Sequence, residues 1–95
     1  MKAYWIAVYK DSSYLENLKN YVEKANPAFK KFSGKILVRG GKTETFEGNP
    51  SPRTVIIEFP NLNEALKCYN SAEYQGAKEI AKQTFKRHVQ IVEGV

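Results

Sequence analysis

Arg39 and Glu58 are the two residues whose types and spacing point first to chemistry. Each lies in a strand-like apolar run, Leu37-Val38-Arg39-Gly40-Gly41 and Ile56-Ile57-Glu58-Phe59-Pro60, where a merely solvated charge has no reason to be. On neighbouring strands the guanidinium could grip an anion while the carboxylate takes up a proton or orients the ligand. Glu47 and Arg53 bracket the connection between the runs, and Gly40 and Gly41 would let a ligand approach the backbone. Such a pocket could host proton abstraction or cofactor-free oxygenation, with Glu58 as base and Arg39 stabilising the developing anion. More ordinary readings stand beside these: a partly buried Arg39–Glu58 structural pair, a Glu47–Arg53 pair closing a hairpin end, and a glycine bulge.

Other chemistries have less to build on. No helix and no Lys-Ser/Thr follow the glycines, so they do not form a phosphate loop. His88 is the only histidine and has no ligand cluster at metal spacing, so neither a metal nor a bound cofactor is expected. Cys68, the single cysteine, excludes an intrachain disulfide and reads as a small buried hydrophobe in a reducing compartment. Tyr69, Ser71, Tyr74 and Gln75 cluster at a joint between helical pieces. Tyr74 could place its hydroxyl at a cavity mouth, although a tyrosine at helical spacing is first a core residue.

Positioning these residues falls to four strands and two helical regions. Ala3–Tyr9 is apolar throughout and predicts a strand buried on both faces. Asp11, Ser12 or Ser13 can cap a helix carrying Leu15, Leu18, Tyr21, Val22, Ala25 and Phe29 inward, with a kink or break expected before Pro27. Lys35–Arg39 is a second strand, which the alternation of Lys42–Glu47 extends past a bulge at Gly40-Gly41. Arg53–Phe59 returns antiparallel to it. Asn61 or Asn63 caps a second helical region, jointed at Asn70-Ser71 and running to Lys86, and His88–Glu93 is the last strand. The order β-α-β-β-α-β is the ferredoxin-like arrangement, a four-stranded antiparallel sheet with two helices on one face.

Period-two alternation assigns Tyr4, Ile6, Val8, Ile36, Val38, Val55, Ile57, Phe59, Val89 and Ile91 to the face under the helices. The opposite face would carry Trp5, Ala7, Tyr9, Leu37, Arg39, Thr54, Ile56, Glu58, Gln90 and Val92, too apolar for open water. A second copy packed sheet to sheet would enclose a cavity there, with Trp5, Tyr9, Arg39 and Glu58 among its walls. Alternatively the aromatic face could stack bases, as an RNA-recognition module does.

The 95 residues, 42% hydrophobic, fit one domain over 1–95. The net charge of +5 is dispersed over helix faces among glutamates, which favours solvated surfaces over a nucleic-acid patch. An N-terminal strand and the lack of any long apolar window suit a cytoplasmic protein without a membrane partner.

Ala3-Tyr4-Trp5, Leu37-Val38-Arg39-Gly40-Gly41, Glu47-Gly48, Arg53, Ile57-Glu58-Phe59-Pro60, Tyr69-x-Ser71-x-x-Tyr74-Gln75 and Val92-Glu93-Gly94-Val95 resemble domain-of-unknown-function family 1330 along the whole chain. The resemblance implies the dimeric α+β barrel superfamily and hence a homodimer of two ferredoxin-like subunits. Relatives there include small monooxygenases, haem-degrading enzymes, dismutases and plain binding proteins. Ser33-Gly34 stands where the family often has a glycine pair, and the connection after Glu47-Gly48 lacks a frequent aromatic. The expectation is a dimeric protein that binds or transforms a small organic molecule without a cofactor. A single-stranded nucleic-acid module and a non-catalytic interaction dimer are the alternatives.

Overall fold

Three of the four helical segments begin where a short polar side chain accepts from an otherwise free backbone N–H; the exception is the helix over Leu18–Lys31, which continues from the 3-10 turn before it. The Asp11 carboxylate accepts from the Ser13 N–H at 2.9 Å and opens a 3-10 turn over Ser12–Glu16. Asn61 accepts from the Glu64 N–H at 2.8 Å to start α2 (Leu62–Asn70), and Ser71 accepts from the Tyr74 N–H at 3.1 Å to start α3 (Ala72–Thr84). The joint at Asn70-Ser71 is therefore real, and its cap is the serine. The expected break at Pro27 is not: α1 runs unbroken over Leu18–Lys31. One missing backbone bond is outweighed by the buried stripe Tyr21, Ala25, Ala28 and Phe29.

The computed structural model describes residues 1–95. Strands β1 (Ala3–Tyr9), β2 (Lys35–Arg39), β3 (Thr54–Phe59) and β4 (Arg87–Glu93) form one antiparallel sheet in the order β2-β3-β1-β4. With the helices packed on one side, this is the ferredoxin-like β-α-β-β-α-β arrangement. No helix is long and apolar enough to cross a membrane.

Two sequence expectations about the sheet are corrected by its register. In β1 the inward residues are Ala3, Trp5, Ala7 and Tyr9, all buried, whereas Tyr4, Ile6 and Val8 face the open side. Every residue of β1 is apolar, so alternation alone carries no sign. The choice is made by packing, since the two bulky rings fit under the helices when alanines flank them. Trp5 meets Tyr74 edge-on at 4.7 Å and Phe29 at 5.1 Å between ring centroids.

The second correction concerns β2. Its bulge lies at Leu37, not at Gly40-Gly41. Ile36 pairs with Ile57, Val38 pairs with Ile56, and the extra residue between them reverses the faces of all that follows. Val38 thus turns to the open side and Arg39, opposite Val55, turns under the helices. The strand then stops. Residues 40–53 form an irregular connection, with Gly40 at φ 63°, and Lys42–Glu47 does not continue the ladder.

At the end of α1 the Gly34 N–H donates to the Phe29 carbonyl at 2.7 Å, and the Ser33 N–H donates to that of Lys30 at 3.2 Å. This paired closure holds Ser33 at φ 62°, a left-handed position that L side chains resist. Ser33→Gly should therefore raise unfolding stability, by up to about 1 kcal/mol, measured by urea denaturation with an unchanged m-value.

Candidate functional site

Between α1 and the sheet lies a cavity of about 90 Å³. Trp5, Ala7 and Ile57 form its apolar floor, and Leu18, Val22 and Phe29 of α1 form its roof. Its polar groups are Tyr9, Tyr21, Asn26 and three guanidinium groups, those of Arg39, Arg53 and Arg87. These are the chain's only three arginines, and none of its lysines lines the cavity.

Separate local devices deliver each arginine to the same end of the sheet. The bulge at Leu37 turns Arg39 inward. Arg53 precedes β3, and its carbonyl accepts from the Tyr9 N–H at 2.9 Å. Arg87 opens β4 directly opposite Tyr9. The Tyr9 ring consequently lies between two guanidinium groups, 5.7 Å from that of Arg53 and 5.5 Å from that of Arg87.

Arg87 is held by hydroxyls instead of carboxylates. It donates to Tyr9 Oη at 3.1 Å, to Tyr21 Oη at 3.4 Å and to Tyr74 Oη at 3.1 Å, while Tyr21 Oη and Tyr74 Oη are hydrogen-bonded to each other at 2.9 Å. Burial pushes both Tyr21 and Tyr74 above the ordinary phenol range, which keeps them neutral. Arg53 is held differently. Its guanidinium stacks near Tyr9 and, at 5.6 Å, Tyr14, while its Nε is buried with no hydrogen-bond partner. Gly40 makes room for it, because a Cβ at that position would collide with Arg53 Nη1.

The residues singled out in the sequence are thereby divided. Trp5, Tyr9, Arg39 and Arg53 do line one cavity, and Tyr74 stands behind it, bonded to Arg87. Glu58 does not join them. It lies on the open face, where Tyr4 Oη donates to it at 3.1 Å and Lys2 pairs with it at 3.4 Å. The Arg39–Glu58 pair is therefore absent, separated by the sheet as a result of the Leu37 bulge. Glu47 is exposed in the 40–53 connection and makes no ion pair with Arg53, and Gly41 faces open space, its carbonyl accepting from the Thr43 hydroxyl at 2.9 Å. Arg87, Tyr21 and Asn26 were not singled out. For Arg87 the available signal is the strand alternation Arg87-Val89-Ile91, which puts it on the inward face of β4.

Trp5 and Tyr9 are 1% and 2% exposed, so they offer bases no stacking surface. The lining contains no carboxylate, histidine or thiol. The Cys68 thiol is buried elsewhere in the core, and burial pushes it up to about 12.

Fold and cavity together define a small ferredoxin-like α+β protein with an arginine-lined pocket between helices and sheet. The chain belongs to the DUF1330 family, a domain of unknown function whose model matches residues 2–95. Among solved structures it is similar to a protein of unknown function from Rhodopseudomonas palustris, at 13% identity over 99% of this chain and 82% of the other, with a TM-score of 0.77. It is also similar to a dimeric protein of unknown function and ferredoxin-like fold from Bacteroides fragilis, at 17% identity over 98% and 96% of the two chains, TM-score 0.64. A third likeness is to a candidate antibiotic biosynthesis monooxygenase from Caulobacter crescentus, at 10% identity over 99% and 90%, TM-score 0.65. At these identities the likeness is one of fold. Among curated proteins none matches.

Two outcomes follow from the geometry. Gly40→Ala forces a side chain onto Arg53 and into a left-handed backbone, so it should cost about 1–2 kcal/mol in chemical denaturation. The raised tyrosines set an alkaline limit. Below pH 10 Tyr21 and Tyr74 are protonated in both folded and unfolded chains and contribute no pH dependence. Above it the unfolded chain ionises first, so stability falls as pH rises toward the folded values, by about 1.4 kcal/mol per pH unit for each such group. Thermal melts from pH 8 to 11.5 should show this loss, and Tyr74→Phe should reduce its slope by about one proton.

Proposed function

We propose that this protein binds a small organic molecule in the cavity between α1 and the sheet, and that it does so as a homodimer joined through the open sheet face. The observation that carries the binding reading is the cavity itself: about 90 Å³ of space with an apolar floor and roof, with the three arginines at one end and Asn26 among the residues of the roof. A chain of 95 residues has little core to spare, and an unfilled space of this size costs packing energy unless something occupies it.

The lining also bears on chemistry. With Glu58 on the other face, the cavity is lined by no carboxylate, histidine or thiol to serve as general base. This favours binding over proton abstraction. A reacting ligand would have to supply its own acidity, with arginine stabilising the anion.

The dimer rests on the open face. Tyr4, Ile6, Val8, Val38, Ile56 and Val92 share it without a covering helix, and Val92 and the neighbouring Leu37 are 45% and 46% exposed. The Bacteroides fragilis neighbour is described as dimeric. Four strands about 4.8 Å apart make a face of roughly 400 Å² in plan, so a stable interface of about 800 Å² per partner needs more than the sheet. We assign the remainder to the 40–53 connection, whose Phe46 is 88% exposed.

Screening by protein-observed NMR with a fragment set is the direct test of binding. Hits should shift resonances of Val22 and Phe29, and Val22→Phe should abolish those shifts while leaving the far-UV circular dichroism unchanged. Light scattering across a hundredfold dilution should give twice the chain mass, and Ile56→Asp should give the monomer. A monomeric wild type would refute the dimer.

A further inference from the structure

We infer that the ligand of this cavity is a small organic carboxylate, with Arg53 and Arg39 as its receptors and Arg87 as a fixed positive charge behind them. This deepens the small-molecule reading and rests on it. The argument begins with an imbalance. Three guanidinium groups line one space of about 90 Å³, no acidic residue lines it, and none of the four ion pairs of the chain includes an arginine. Arg53 and Arg87 are half-buried and Arg39 is exposed; a partly buried cation without a counter-charge is costly, and a bound anion removes that cost.

The three arginines are not equivalent. Arg87 has three tyrosine hydroxyls as acceptors and is fixed in place. Arg53 has aromatic faces to stack on but no acceptor for its buried Nε, and neither it nor Arg39 donates a side-chain hydrogen bond within the chain. Arg53 therefore keeps donors for something not supplied by the protein, and Arg39, exposed beside it on the same lining, is free to close on the same ligand. Arginine in place of lysine also matters, because its planar fork meets both oxygens of a carboxylate and is more weakly hydrated than an ammonium.

The rest of the lining selects among anions. Inorganic phosphate or sulfate is strongly hydrated on every side and would need donors all round. Here the charge is at one end, and Trp5, Val22 and Phe29 face the other. That polarity suits a short hydrocarbon body ending in one carboxylate. At about 30 Å³ per water, 90 Å³ is the space of about three waters and fits a short acyl chain, of propionate or butyrate size.

The test pairs each acid with its uncharged isostere on the intact wild-type protein: propionate against propionamide and butyrate against butyramide, titrated by NMR, with inorganic phosphate as the apolar-free anion. Each acid should bind at least about tenfold more tightly than its amide, and Arg53→Gln should remove that preference. Arg53→Lys, which keeps the charge and loses the fork, should recover only part of it. Should Arg53→Gln fail to fold, the acid-to-amide ratio on wild type decides alone. Equal binding of acid and amide would overturn the carboxylate assignment while leaving a small-molecule cavity. Phosphate binding more tightly than either acid would overturn it in favour of an inorganic anion. Binding of no member of the set, together with no hit in the fragment screen, would overturn both readings.

Discussion

Burying the head of Arg87 without a carboxylate partner is the constraint on which much of this fold turns. A guanidinium under a helical layer is tolerable only if its donors and its charge are met. Here they are met by Tyr9 from β1, Tyr21 from α1 and Tyr74 from α3, three separate elements converging on one residue of β4. Phe85 and the rings of Tyr9 and Tyr21 add cation–π contact at 4.9 to 5.5 Å. Neutral hydroxyls compensate a charge less fully than an anion would, so the same arrangement that holds the layers together leaves positive potential at one end of the cavity.

That arrangement also explains why the sequence disclosed the fold more readily than the site. Element order follows from local signals, such as the alternation of Thr54–Phe59, the caps Asn61 and Ser71, and the stripe Tyr21-Ala25-Ala28-Phe29. These depend on residues a few positions apart. Which face of a strand is buried depends on partners far along the chain. In β1 both alternating sets are apolar, and only the rings of Phe29 and Tyr74, 24 and 69 positions from Trp5, break the tie. In β2 a single extra residue, Leu37, inverted the predicted side of Arg39, and leucine carries no local mark of a bulge. The glycines nearby drew the bulge to themselves, although Gly40 serves a different need, the close passage of Arg53.

The basic charge of the chain divides in a way that composition conceals. Lysines carry most of it, and those that pair do so at the surface, Lys2 with Glu58, Lys31 with Glu73, Lys67 with Glu64 and Lys86 with Asp11. Such exposed pairs contribute little to stability. All of the arginine is concentrated at one cavity, where a delocalised and weakly hydrated cation can be partly desolvated at lower cost than an ammonium. The net charge of +5 thus has two separate parts, lysines over the surface and arginines around the cavity.

The position of the cavity has a consequence for the proposed dimer. A pocket between paired sheets would be shared, so that binding and assembly would be one event. A pocket under the helices, on the side of the sheet away from the partner, leaves each chain with a complete site of its own. The link between site and interface then narrows to the strands that carry both faces, and β2, with its bulge next to Arg39, is one such path. Leu37 and Val38 lie on or beside the open face, while Arg39, the next residue, lines the cavity. A ligand that draws Arg39 inward acts on the bulge that sets the open face. Coupling between binding and assembly would pass through three consecutive residues of an edge strand instead of through the packed core.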